Sequence, residues 1–371
     1  MGNSLPPTLP AHAVPLIFRE PNVLTGYRHP HKTWAYYAKS LFQLNNECFN
    51  VWTHLLAMYY AVFKLVTYVA RVDTTDPYYW PYFLGYATII LLYCASVGAH
   101  GFHSRSEHSH YIWFFLDYAG IGLYGAGIGT LHFYYSSEPA FYERFEHVYP
   151  VVITLVSCGC CLTSIHCKAV FRRPYPAVRK YIQITAISVM YLWIILPLWS
   201  RFAKCVTHEH DGVFQTTTTL ENSPSAMPIQ IQNSAIHGNV SLANVSVALI
   251  DCADPVMAIH AREVAWFILA GFFYGTNTPH RFRAGTFDIF GHGHQIFHIC
   301  IALTTVYGNE GVFLDMVHKK PHIAHRVIAL EFLSASWPIF AVFLLEMFAV
   351  IGYSVAMQYK ISMASPKTKT S

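Results

Sequence analysis

Eight separate stretches of mostly apolar residues dominate this chain, near 50–70, 80–102, 111–134, 149–166, 181–200, 263–278, 289–308 and 334–357. A helix needs about 20 such residues to cross the hydrocarbon core of a bilayer. With no water there to satisfy backbone N–H and C=O groups, a spanning segment must satisfy its own, so each stretch is expected to be a helix. The expected fold is an all-α polytopic membrane protein: a seven-helix bundle followed by an eighth, C-terminal transmembrane helix. Composition agrees, because 54% of residues are apolar and only 12% charged, where a soluble domain carries about a quarter. The net charge of +4 is small and dispersed, which argues against a nucleic-acid partner.

The boundaries divide the chain into an N-terminal region at 1–48, a core at 49–308 with a long loop at 201–262, a loop and eighth span at 309–357, and a tail at 358–371. Lys and Arg orient it. Fifteen of the 24 fall on the side of the N-tail and eight on the other, with Lys64 inside a span. The positive-inside bias places both termini in the cytoplasm, although Lys319 and Lys320 run against it. The 201–262 loop then faces outside. It is rich in Thr, Ser and Asn and carries two glycosylation sequons, at Asn239 and Asn244. Cys205 and Cys252 bracket it and would pair if the compartment is oxidising. Cys94, Cys158, Cys160, Cys161 and Cys300 fall in apolar runs and are expected to be buried. The third span carries Gly125 and Gly129, a GxxxG that permits close helix contact.

Ionisable residues inside a bilayer are costly and point to function. Ser96 and His100, at i and i+4, share one face near the end of the second span. Asp117 lies near the start of the third. His294 and His298, again i and i+4, lie near the start of the seventh. Alternating spans bring all five to one membrane face. Two imidazoles one helical turn apart grip one metal ion, and a third leaves an open position compatible with catalytic zinc. Asp117 would orient a bound water, and Ser96 would hydrogen-bond to it. The alternative is a polar cluster that ties three helices together without metal. His292 lies about 200° around the helix from His294 and is expected to point elsewhere. His103, His108 and His110 are expected to be solvated in a short loop. Glu47, Asn50 and His54 form a polar stripe at the start of the first span. They either cap and bind neighbouring helices or touch a ligand. Asp288 is placed to cap the seventh span.

Taken in order, Glu47-x-x-Asn50-x-x-Thr53-His54, Ser96-x-x-x-His100, Asp117 within Leu-Asp-Tyr, Phe287-Asp288 and His294-Gln-Ile-Phe-His298 resemble the progestin and adipoQ receptor family over residues 15–310. Gly26-Tyr-Arg-His-Pro30, Asn50-Val-Trp-Thr-His-Leu-Leu56 and the eighth span resemble its membrane progestin receptor branch, alpha/beta-like. The long outer loop departs from that pattern. The resemblance implies zinc held by His100, His294 and His298, with Asp117 reaching it through water. It implies a cytoplasmic N-terminus and a plasma-membrane receptor for a progestin steroid. Rapid non-genomic signalling, through an inhibitory G protein, and a role in oocyte maturation follow from the same likeness. Related adiponectin receptors and alkaline ceramidases imply a second class of function, zinc-dependent hydrolysis of a lipid amide, with Asp117 as the catalytic carboxylate.

Overall fold

The structure, a computed structural model, describes residues 5–210, 254–328 and 332–364, with the side chains of 206–210 and 328 left aside. Eight helices of 22 residues or more run through it: α1 (Cys48–Val69), α2 (Trp80–Phe102), α3 (Glu107–Leu131), α4 (Tyr149–Val170), α5 (Ala177–His210), α6 (Pro255–Thr276), α7 (Gly293–His318) and α8 (Phe332–Ala364). No strand longer than a single bridge occurs among the described residues. Six of the eight are apolar enough over 18 residues to cross a membrane on that ground alone. The other two, α1 and α3, carry Asn50, His54 and Lys64 and Glu107, His110 and Asp117 respectively.

Local chemistry sets the helix ends. Ser106 caps α3 by accepting the Ser109 N–H at 3.1 Å, and Asp254, followed by Pro255, caps α6 through Val256 N–H at 2.9 Å. These are standard solutions for the orphan N–H groups of a first turn. Asn277, at φ 57°, closes α6 in the left-handed conformation.

Around α3 the other seven helices form a ring, in the order α1, α7, α6, α5, α4, α8 and α2. The glycines of α3 explain its central place. A Cβ at Gly127 would meet Thr88 and the Gly85 carbonyl of α2, one at Gly125 would meet Met190 of α5, and one at Gly129 would meet Ile153 of α4. The GxxxG pair thus serves two different neighbours, and the eighth helix packs into the bundle along α3 and α4. The aromatic core, including Tyr68, Tyr78, Tyr82, Tyr135 and Phe313, fills the half of the bundle reached by the end of α7. Leu192, Ile268, Leu344 and Phe348 stay exposed on its outer faces, as a lipid solvent allows.

Three expectations change. Helix α5 runs on to His210 and α6 begins at Pro255, so the 201–262 loop is shorter at both ends. Arg201 extends the helix because its guanidinium finds Asp315 at 2.7 Å. Helix α7 continues ten residues beyond 308, since Glu310 and Asp315 find Tyr68 and Arg201 on neighbouring helices while Asn309 bonds back to the Thr305 carbonyl. Cys94 is exposed, while Cys158, Cys160, Cys161 and Cys300 are buried. Asn239, Asn244 and Cys252 lie outside the described residues.

Candidate metal centre

The ends of α1, α2, α3 and α7 that meet at one end of the bundle bring His100, His294 and His298 together, with one ring nitrogen from each within 4.8 Å of the others. His100 and His298 are buried, and His294 is half-buried. His100 Nε2 stands 3.3 Å from His294 Nε2. Ligand atoms about 2.0–2.1 Å from one tetrahedral ion lie about 3.3–3.4 Å apart, so the spacing suits a shared ion.

Two of the remaining ring nitrogens are tied elsewhere. His100 Nδ1 donates to Glu47 Oε2 at 2.8 Å, and His298 Nδ1 donates to the Asn50 carbonyl at 3.1 Å. A carboxylate and a carbonyl only accept, so each Nδ1 carries the proton and each Nε2 keeps its lone pair. Partners of this kind fix the tautomer of a metal-binding imidazole. Asn50 in turn donates from Nδ2 to Glu47 Oε2 at 2.7 Å. The polar stripe of the first span therefore orients His100 and His298. His54 stacks on His298 at 3.8 Å between centroids and 11° between planes, and neither of its ring nitrogens has a hydrogen-bond partner. Asp117 is half-buried on α3, within electrostatic reach of His100 and beside the buried Ser96.

Several residues play roles that differ from the reading of the sequence. His103 and His110 are buried rather than solvated. His103 Nε2 donates to Glu47 Oε1 at 3.2 Å, and its Nδ1 faces His110 Nδ1 at 3.2 Å. The N-terminal segment covers them, with Phe18 packed against both rings. Arg28, buried, donates 2.6 Å bonds to the carbonyls of His100 and Gly101 and so closes the C-terminal end of α2. Burial pulls its guanidinium below the ordinary value, and the charge of Glu47 opposes that pull. Asp288 does not cap α7. It accepts from Leu24 N–H, Thr25 N–H and Thr25 Oγ1 at 2.7–3.0 Å, fastening the N-terminal segment, and His292 occupies the cap position. His292 points away from the trio, to the Asn46 carbonyl at 3.2 Å. Asp288 and Arg28 were visible as charged residues within the motifs, but their partners lie far off in sequence.

Residues 42–222 and 211–308 match the family described as haemolysin-III related. The chain is 31% identical to the membrane progestin receptor beta of Sus scrofa over 87% of its length and 80% of that protein. It is 30% identical to the human membrane progestin receptor alpha, covering 90% of this chain and 86% of that one. It is 30% identical to the membrane progestin receptor alpha-B of Danio rerio, over 89% of this chain and 84% of that one. The chain belongs to the haemolysin-III-related, progestin and adipoQ receptor family. As a member, with apolar helices of spanning length, it is a multi-pass membrane protein.

Proposed function

We propose that this chain is a progestin receptor of the plasma membrane whose helices are clasped at the cytoplasmic end by a zinc ion on His100, His294 and His298. The observation that carries the metal is the convergence of the three imidazoles with two of their Nδ1 protons held by Glu47 and Asn50. The progestin rests on the relatives, which are named as membrane progestin receptors. A narrow groove of about 10 Å³ between α1, α2 and α7, lined by Ala57, Tyr60, Lys64, Ile89, Tyr93 and Thr305, marks a place where a steroid would have to part the helices to enter. Apolar walls with a few polar groups suit a steroid. Tyr93 joins groove to site, because its ring meets His54 edge-on at 5.1 Å. A ligand that wedges there acts on the helices that carry the trio, and it signals to the extent that it binds two arrangements unequally. Coupling to an inhibitory G protein, a role in oocyte maturation, the cytoplasmic N-terminus, glycosylation at Asn239 and Asn244 and pairing of Cys205 with Cys252 belong to the same reading.

Asp117 favours a second activity at the same place, hydrolysis of a lipid amide such as ceramide. Bound zinc would supply positive charge that polarises the amide carbonyl. Asp117, with Ser96 beside it, would take a proton from the attacking water and return it to the leaving amine.

Labelled progestin and ceramide given to the purified protein in nanodiscs separate the two readings. Saturable progestin binding, weakened by His298→Ala, is the expected result. No saturable binding by well-folded protein rejects the receptor. Ceramide turnover that Asp117→Ala abolishes would support the hydrolase, and no turnover with zinc supplied rejects it.

A further inference from the structure

Further along α7, beside Gly308 and Gly311 and so about 15–20 Å from His298 by helical rise, lies a second set of convergent donors. His132 and His260 are fully buried, as is Glu263. One donor atom from each lies within 4.8 Å of the others. Glu263 Oε2 is the meeting point. His132 Nε2 stands 3.4 Å from it, and His260 Nδ1 also stands 3.4 Å from it.

Those lengths are long for a charge-assisted hydrogen bond, which closes to about 2.7–2.9 Å. They equal the spacing of ligands around one ion, about 3.3–3.4 Å. The outer nitrogens support the same view. His132 Nδ1 donates to the Ile194 carbonyl at 3.2 Å. His260 Nε2 donates to Asp315 Oδ2 at 3.0 Å. His132, as a neutral ring, therefore turns a lone pair towards the Glu263 carboxylate, and a lone pair facing a carboxylate is repulsive unless a cation stands between them; His260, set between Asp315 and Glu263, meets both carboxylates as an imidazolium or, as a neutral ring, turns its Nδ1 lone pair to the same point. His132 Nε2 and Glu263 Oε1 have no hydrogen-bond partner. Asp315 is itself held by Arg201 at 2.7 Å and by Lys319, which fixes the carboxylate behind His260.

The backbone makes room for this arrangement. Gly308 and Gly311 of α7 lie against it, and a Cβ at either would enter the Glu263 carboxylate or the His260 ring. His132 opens a single π-helical turn, His132–Ser136, that ends α3. Single π-turns are frequent at functional sites.

We propose that His132, His260 and Glu263 form a second metal site, for a divalent transition cation of the zinc type, at the membrane face opposite the first. Two imidazoles and one carboxylate are a donor set for zinc with a position left open, and for ferrous iron. The site joins the end of α3 to α6, and through Asp315 and Arg201 it joins α7 to α5.

Metal analysis of full-length protein tests it. Wild type, Glu263→Gln, Gly308→Ala and His298→Ala are purified in detergent, equilibrated with buffered zinc, desalted and counted by mass spectrometry, with iron measured in the same scan. Wild type is expected to hold two ions per chain and Glu263→Gln one. His298→Ala should also hold one, and the Glu263→Gln/His298→Ala double variant none. Gly308→Ala, which alters no donor, should lower the count and keeps the test open if Glu263→Gln does not fold. A wild-type count of one that falls with Glu263→Gln still supports this site and instead removes the first. A count that neither Glu263→Gln nor Gly308→Ala lowers overturns the proposal and leaves a proton-bridged network.

Discussion

Glu47 Oε2 stands 2.8 Å from His100 Nδ1, while Glu47 Oε1 stands 3.2 Å from His103 Nε2. One carboxylate at the head of α1 thus grips two imidazoles at the end of α2. It does so from a position where it also accepts from Asn50. All of these groups are buried, so the geometry of the first site depends on a side chain that does not itself join the three histidines.

Glu47→Gln removes one of the two acceptors and the charge that holds the His100 proton. Loss of such an outer partner typically weakens metal affinity about 10- to 100-fold. Competition for zinc against a chromophoric chelator should show that loss, with the protein still folded. Wild-type affinity would mean that Glu47 merely packs.

Arg28→Ala should strip two donors from the end of α2 and leave the His100 and Gly101 carbonyls buried without them. Hydrogen bonds to a charged group contribute about 1.5–3 kcal/mol each, so a marked drop in the thermal unfolding midpoint is expected. Arg28→Lys should recover only part of it, because an ammonium lacks the planar fork that reaches both carbonyls.

The glycines of α3 separate packing from propensity. A Cβ at Gly127 would lie 3.1 Å from the Gly85 carbonyl and closer to Thr88. Gly127→Ala should therefore destabilise by about 1–3 kcal/mol. Gly159 on α4 has nothing within 4 Å of its Cβ direction. There the same substitution should stabilise by about 0.5–1 kcal/mol, the helix preference for Ala over Gly. Unfolding of the two variants in a graded denaturing detergent compares them directly.

Much of the architecture was legible because a bilayer demands long apolar helices, and each of the eight stretches overlaps one of the long helices. Histidines spaced i and i+4 were legible for the same reason, since the helix period puts them on one face. The surroundings were less so. His103 and His110 sit in a polar segment that reads as solvated, and Phe18 of the folded-back N-terminal segment and Phe114 of α3 pack against both rings. The second cluster was hidden by boundaries. His260 lies before the expected start of the sixth span and Asp315 beyond the expected end of the seventh, so neither read as intramembrane. Glu263, three residues after His260, sat at a margin where charge is unremarkable, and His132, inside the third expected span, had no ligand-type partner near it in sequence. Tertiary partners extend those helices, and no local pattern announces them.

Anomalous scattering at the zinc edge, from crystals of the full-length protein grown with zinc, tests the first metal centre most directly. The account places a peak bonded to the Nε2 atoms of His100, His294 and His298. Density that leaves those three nitrogens bare, with the protein zinc-loaded elsewhere or not at all, would contradict it.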